Sequence, residues 1–499
     1  MSFIKGTDRK QKTMFPDCIE DYIGEDNPVR VIDEYVELVN MSAFTKSKEH
    51  RRGAPGYHPS VLLKLYLYGY VNGIRSSRKL ETESHRNIEV VWLLQKLKPD
   101  FKTIADFRKE NKTQLKQVFK DFTKLCKDLK LLGEEFIAID GTKIQANNSK
   151  KNNFSKKKIQ RHKQYIEDKV NSYLDLLESS DKDDSPKLKY TPEEIQQKIE
   201  KLKERKIKFE ELEKKLQDSE SNEISTVDED ARLMDNKNNG VTVAYNIQTA
   251  VDSKHSIIVA YDVTNNPADQ GNLNSLAEET KDIFGKRKLE VAADKGYYQA
   301  DDLMKCERNQ TTVYLPKQSY SNATGDKDFY GDKFTYVPEK DLYICPLGHE
   351  LRRINHKSKE PKRIKYRNYD ACKNCESKSK CTTAAKGRII NRSPSQDFLD
   401  TIDARTEANM DKYLQRQMIV EHPYGTIKRT MNAGYFLTRG MDSVTTETAL
   451  VLLAYNFKRV INIIGVKELL RILVALRPTL SLYFYMFKSY CTKRQEIYG

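Results

Sequence analysis

The sequence predicts an α/β protein, and three observations predict it. Apolar residues recur three and four apart between 42 and 132, which is the spacing of helices. Two short apolar runs, 136–139 and 289–293, each end in an aspartate and read as strands. Further strand-like runs at 241–250 and 256–263 are followed by a helical pattern at 273–284, and strands interleaved with a helix build a layered α/β core. The 499 residues are 38% hydrophobic and 32% charged, which supplies a sizeable core and excludes disordered and collagen-like classes. The most apolar stretches, Val460 to Leu476 and Leu480 to Phe487, are short or broken by Lys467 and Arg471, so no membrane partner is expected. Met1 to Phe15 is polar and basic rather than signal-like, and a cytoplasmic chain with reduced thiols is expected. A formal net charge of +15 favours a polyanionic partner.

The elements follow in order. Residues 1–132 read as an N-terminal helical domain, with Val61, Leu62, Leu65, Tyr66 and Tyr68 on one apolar face and Val118, Phe119, Phe122 and Leu125 on another. Arg75, Arg78, Lys79, Arg86, Lys96, Lys98, Lys102, Arg108 and Lys109 are interleaved with them, and this basic face suits DNA. Residues 133–154 begin the core with a strand that ends at Asp140-Gly141-Thr142, followed by polar chain. Residues 155–225 form a charged helical insertion, a hairpin with a break at Ser179 to Pro186 and a restart at Thr191-Pro192-Glu193-Glu194. Thr191 as cap, proline at the first helical position and acids in the first turn are start signals. The core continues over 226–320, a Cys-rich insertion occupies 321–400, and 401–499 returns to helix.

Three carboxylates stand out by position. Asp140 and Asp294 each follow an apolar strand, and Glu421 lies in a helical stretch, Met418-Ile419-Val420-Glu421-His422-Pro423-Tyr424-Gly425. Acids at the carboxyl ends of strands in an open sheet converge in space even when far apart in sequence. Hard cations such as Mg²⁺ take carboxylate oxygens and keep positions for phosphates, and two such ions serve phosphodiester chemistry. Lys428, seven residues after Glu421, shares its side of an ideal helix, with Tyr413 on a neighbouring flank and Arg416 further round. Pro423 is expected to kink or end that helix. Glu407 and Asp411 are the weaker acids of this region.

FIAIDGTKIQANNS around Asp140, VTVAYNIQTAVDSKHSIIVAYDVTNNPADQ, VAADKGYY around Asp294 and YLQRQMIVEHPYGTIKR around Glu421 together resemble a bacterial insertion-sequence DDE transposase. The branch resembled carries a Tyr-Arg-Glu-Lys signature around the catalytic Glu. HPSVLLKLYLYGYVNGIRSSRKLE and RNIEVVWLLQKLKPDFKTIADFRK are similar to that family's N-terminal helical domain. The resemblance implies a ribonuclease H-like fold in which Asp140, Asp294 and Glu421 bind Mg²⁺ (or Mn²⁺), with Lys428, Arg416 and Tyr413 on the DNA. It also implies double-stranded DNA partners, the element ends and the target, held by a homodimer or larger complex in the bacterial cytoplasm at the nucleoid. Four residues separate Arg416 from Glu421 where the signature has three, and one extra helical residue turns a side chain by about 100°.

Cys345, Cys372, Cys375 and Cys381 have the spacing of a closed structural zinc site, with His349 able to replace one of them. Zinc there would set Arg352, Arg353, Lys362, Arg363 and Lys365 toward phosphates. Cys18, Cys126, Cys306 and Cys491 lack such neighbours. Two other readings compete with a transposase that cuts and joins DNA: a metal-dependent nuclease without strand transfer, and a DNA-binding protein descended from a transposase. An RNA-binding protein is disfavoured by the absence of an aromatic-rich strand motif.

Overall fold

The computed structural model describes residues 18–45, 56–180, 191–218, 221–236, 240–317, 321–354 and 363–477. The basic start at 1–15, most of the expected break at 181–186, Lys362, the apolar run 480–487 and Cys491 lie outside the described residues.

The N-terminal region is helical: α1 (Pro28–Leu38), α2 (Pro59–Val71), α3 (Ser77–Arg86), α4 (Ile88–Leu93), α5 (Phe101–Glu110) and α6 (Lys112–Asp128). Side-chain oxygens start three of them, Asn87 accepting from the Glu89 and Val90 amides before α4. Asn27 accepts from the Val29 amide before α1, and Asp100 accepts from Lys102 and Thr103 before α5. Helix α2 is apolar on nearly every side, and its leucines and tyrosines are buried accordingly.

Six strands form the main sheet: β1 (Phe136–Gln145), β2 (Arg232–Asn236), β3 (Gly240–Asp252), β4 (Ile258–Thr264), β5 (Leu289–Ala293) and β6 (Thr311–Tyr314). β1 is central. It runs antiparallel to β3, whose far edge carries β2 and β4, and parallel to β5, which is parallel to β6 in turn. Ile137, Ala138 and Ile139 of β1 are fully buried, as strands covered on both faces must be. The expected end of this strand at Asp140 is corrected: pairing with β3 holds from Ile137↔Asp252 to Gln145↔Ala244, so Asp140 sits mid-strand and Asp140-Gly141 is no turn. The polar chain expected from Ile144 onward therefore begins later.

Between β1 and β3 in sequence lie α7 (Lys156–Ser180) and α8 (Pro192–Asp218). Thr191 and Glu194 form a reciprocal cap at the start of α8, at 3.2 and 3.0 Å. Lys163 pairs with Glu213 and Lys206 with Glu167, which sets the two helices antiparallel over a small core of Ile159, Ile166, Phe209 and Leu216. After β4 come α9 (Leu273–Phe284) and α10 (Ala300–Arg308). The Cys-rich segment folds on a second, antiparallel sheet, β7 (Thr335–Val337), β8 (Leu342–Ile344), β9 (Glu350–Arg353), β10 (Ile364–Arg367) and β11 (Ile390–Arg392). There follow α11 (Gln396–Ala408), α12 (Met410–Gly425), a π-helical turn (Thr426–Thr430) and α13 (Met441–Ile464), and residues 466–477 are helical again.

Helix α13 joins the two halves. It is buried on all sides from Thr446 to Phe457, and its residues share one apolar cluster with α1, α2, α6 and the sheet. On the sheet side, the Asn456 amide bonds both the N–H and the C=O of Ile258, at 2.9 and 2.7 Å. On the other side, Glu447 is fully buried and meets Arg75 at 3.0 Å, itself 3% exposed in its side chain. Glu447 also accepts from the Leu437 and Thr438 amides, while Arg75 donates to the carbonyls of Asn432 and Tyr435. Arg75 is therefore corrected from the DNA-facing set to a core residue. Its guanidinium is held by fixed acceptors that water would otherwise replace.

Removing one partner of such a pair strands the other charge in the core. Glu447→Gln is expected to lower the unfolding free energy by about 3–5 kcal/mol, read from urea denaturation. A loss below ~1 kcal/mol would show that Arg75 is satisfied by the carbonyls alone.

Candidate active site

The parallel register of β1 and β5 pairs Ile139 with Ala293. The next residue on each strand is an aspartate, so Asp140 and Asp294 emerge side by side where β5 ends. Asp294 caps the short turn Lys295–Tyr297 by accepting from the Gly296 amide at 2.6 Å. Asp140 accepts from the Gly141 amide at 2.9 Å and pairs with Arg416 at 3.2 Å.

Helix α12 crosses this point. Arg416, Val420 and Tyr424 recur four apart and so share the face turned to β1. The Tyr424 hydroxyl donates to the Asp140 carbonyl at 2.6 Å and shares a 2.7 Å bond with the Thr249 hydroxyl. Pro423 does not end the helix: it is buried within α12, and the chain winds on through the π-helical turn. That turn carries Lys428, whose amine feels Asp140. Arg416, expected further round than Lys428, thus faces the acid directly.

Electrostatics mark the spot. Burial pushes the Asp140 carboxyl up to about 6, Arg416 opposes the rise, and the neighbouring charges of Asp294 and Asp269 add to it. Burial lowers the Lys428 amine, and Asp140 counteracts it. Burial also drives the Tyr424 phenol well above its ordinary range, so it stays a donor.

Asp269 escaped the sequence reading. It follows β4 in Asn265-Asn266-Pro267-Ala268-Asp269, and nothing in a polar turn after a strand distinguishes it from surface. In the fold, its Oδ1 accepts from the side-chain amides of Asn246 and Gln248, both at 2.7 Å and both on β3. The buried Tyr297 hydroxyl donates to the other end of the Gln248 amide. Glycine is required beside it: a Cβ on Gly141 would stand 2.5 Å from Asp269 Oδ1 and 2.6 Å from Gln248 Nε2.

The structure brings Asp140, Asp294, Arg416 and Lys428 together. Glu421 it leaves exposed on the flank of α12, accepting at 2.7 Å from Gln417 one turn earlier, and it is not among the groups that bear on the charge of Asp140. Tyr413 is half-buried on the same helix. A cleft of about 700 Å³ opens at the opposite end of β1 and β5, between Lys286, Glu290 and Lys412, but Lys412 and Glu290 neutralise each other there.

Among the described residues, no three His, Cys, Asp or Glu side chains are arranged to hold an ion as they stand. Mg²⁺ needs only one or two carboxylates beside its waters and phosphates, and the donor chemistry at Asp140 and Asp294 fits it. A buried, unpartnered carbonyl oxygen, Asn246 Oδ1, also faces this region, 3.2 Å from where a Gly141 Cβ would be. In the Cys-rich segment, Cys345, Cys372, Cys375, Cys381 and His349 border one small apolar cavity, and all four thiols are free of disulfides. Burial raises the Cys381 thiol, as do its three cysteine neighbours. Four such thiols are the donor set that zinc selects.

Residues 17–110 match the family model of a transposase domain, DUF772, and residues 344–461 match that of a transposase DDE domain. The second match spans the four cysteines, Arg416, Glu421 and Lys428, whereas Asp140, Asp269 and Asp294 lie outside both. No curated protein matches the chain. The two matches support a DNA transposase with DNA as partner. Among the described residues no helix is long and apolar enough to cross a membrane.

The crowding at Gly141 makes a direct test of the cluster. Gly141→Ala is expected to cost about 1–3 kcal/mol by overpacking, seen as a lowered melting temperature with the circular dichroism spectrum retained. An unchanged melting temperature would mean that Asp269 and Gln248 yield freely.

Proposed function

We propose that the protein is a DDE transposase of an insertion sequence, of the branch with the Tyr-Arg-Glu-Lys signature, which cuts phosphodiester bonds at the element ends and joins the 3′-OH ends to target DNA. The observation that carries this reading is the adjacency of Asp140 and Asp294 at the end of a parallel strand pair, with Arg416 of α12 and Lys428 of the π-helical turn beside Asp140. The sheet order β4-β3-β1-β5-β6, antiparallel on one side of β1 and parallel on the other, supports a ribonuclease H-like core.

Asp140, Asp294 and Glu421 are the residues that would hold two Mg²⁺ (or Mn²⁺) ions. Bound there, such a pair activates the attacking oxygen and neutralises charge on the leaving oxygen. Glu421 stands on the flank of the helix that carries Arg416 and Tyr424, where it accepts from Gln417. Arg416 holds Asp140 in place through charge-assisted bonding. Lys428, half-buried and cationic, holds a DNA phosphate beside the acids, and Tyr413 lines the approach. Water attacks first at the element end, and the freed 3′-OH then attacks the target. Joining two ends requires a homodimer or larger complex. Cys345, Cys372, Cys375 and Cys381 bind a structural zinc that stiffens the second sheet and presents Arg352, Arg353, Arg363 and Lys365 to DNA.

Two experiments test the reading. Labelled DNA carrying the flanking ends of the encoding element, incubated with Mg²⁺, is expected to be cut and joined by the wild type and by none of Asp140→Ala, Asp294→Ala and Glu421→Ala, all of which keep DNA binding. Cutting without joining would instead make the protein a nuclease, and binding without chemistry a DNA-binding remnant. Elemental analysis of the purified protein is expected to find one zinc per chain, lost in Cys375→Ser together with several degrees of melting temperature; a metal-free wild type would sink the zinc assignment.

A further inference from the structure

A second concave site lies where the N-terminal helices meet the loop that leads into α13. This cleft of about 280 Å³ is lined by Arg108 and Lys109 of α5, Lys112 of α6, Thr438 and Arg439 of the loop, and Ser443 of α13. Neutral oxygens fix its two guanidiniums and leave their charge uncancelled: Arg439 donates to the Asn147 carbonyl at 3.2 Å and to Asn147 Oδ1 at 3.4 Å, and Arg108 donates to the Tyr70 hydroxyl at 3.1 Å. Lys109 is exposed and pairs with no described acid. Lys112 meets Asp442 at 3.0 Å, but Lys116 shares that carboxylate at 2.7 Å. Glu447, which accepts from Thr438, is already paired with Arg75. Positive charge is therefore in excess inside a concavity, where protein walls concentrate the field. The cleft also stands on a fixed platform. Arg75 holds the loop by the carbonyls of Asn432 and Tyr435, and Asn147 Nδ2 donates to the Leu437 carbonyl at 2.8 Å. Asn147 follows β1, so the length of chain from Asp140 keeps the two within about 25 Å of each other. That is less than one turn of duplex, about 34–36 Å.

We propose that this cleft binds a phosphate of the DNA backbone, within a helical turn of the phosphodiester at Asp140, so that the N-terminal helices and the sheet grip one duplex together. This rests on the DNA transposase reading above and adds an anchor that neither the acids nor Lys428 supplies. Lys109 and Arg439 are the phosphate ligands, Ser443 offers its hydroxyl, and Arg108 adds charge from the cleft wall. Such a contact sets the position of the duplex and reads no base.

The test is the affinity of the full chain for a labelled duplex carrying an element end, measured by fluorescence anisotropy across a salt series. Each phosphate contact contributes about 0.9 to the slope of log affinity against log salt. Lys109→Gln and Arg439→Gln are each expected to weaken binding roughly five- to tenfold at 0.1 M salt and to flatten the slope by about 1, on element-end and unrelated duplexes alike. Arg439→Lys is expected to keep most of the slope, and Lys305→Gln, on the exposed side of α10, to change neither quantity. Melting temperature checks that each variant folds, and Lys109→Gln, at an exposed position, carries the test if Arg439→Gln does not. Wild-type affinity and slope in the double variant Lys109→Gln/Arg439→Gln would overturn this inference and leave the transposase reading standing. An equal loss in Lys305→Gln would also overturn it, since the effect would then be one of net charge. Inorganic phosphate titrated calorimetrically without DNA separates the other source of the same chemistry: phosphate binding lost in the double variant, with the duplex slope unchanged, would make the cleft a site for a free anion and overturn its assignment to DNA. A wild type that binds no duplex would overturn the inference and the transposase reading together.

Discussion

The parallel register of β1 on β5 is the constraint on which the candidate site depends. Pairing Ile139 with Ala293 delivers the next residue of each strand, Asp140 and Asp294, to neighbouring positions, and no side-chain interaction is needed to bring them there. A slip of one residue would turn Asp140 to the opposite face of the sheet. The register is held by burial: Ile137, Ala138, Ile139, Val291, Ala292 and Ala293 are inaccessible to water, so any slip would drive polar residues into the core. Charge repulsion between the acids is a local cost carried by this wider apolar packing.

Compensation for that cost comes from two directions. Arg416 and Lys428 supply positive charge from α12 and the π-helical turn, and Tyr424 fixes the helix to the strand by bonding the Asp140 backbone rather than its carboxylate. The carboxylate is thereby left with coordination capacity. Asp269 is held from the sheet by neutral amides, which orient it without cancelling its charge. Burial pushes the Asp140 carboxyl up to about 6, and the nearby charges of Asp294 and Asp269 add to the rise that Arg416 opposes.

The N-terminal helices are tied to this arrangement through one buried knot. Arg75 closes on Glu447 of α13 and on carbonyls of the loop that follows the π-helical turn, so the segment between Lys428 and α13 is clamped by a residue more than 350 positions away. Basic residues of the N-terminal region consequently divide into two kinds. Arg75 is a structural cation, and Arg108 is bonded to Tyr70 and stacked against Tyr66. Lys79, Lys96, Lys98 and Lys102 remain on the surface, where a polyanion can reach them.

Local sequence by itself determined much of the secondary structure. Leu289–Ala293 and Leu273–Phe284 fall where apolar runs and periodicity put them, and Thr191 with Glu194 begins α8 as capping chemistry requires. Asp140, Asp294, Glu421 and the four cysteines were legible as candidates because each sits in a recognisable local string. Tertiary structure decided the rest. Asp140-Gly141 reads as a turn, yet pairing with β3 carries the strand through it, and the glycine answers to the crowding of Asp269 and Gln248. Helical spacing grouped Glu421 with Lys428, but a π-helical turn after Tyr424 changes the phase between them. Asp269 and Arg75 carried no signal at all, because what singles them out is the partner each meets, and contacts between distant segments are set by how the layers pack rather than by any neighbour along the chain.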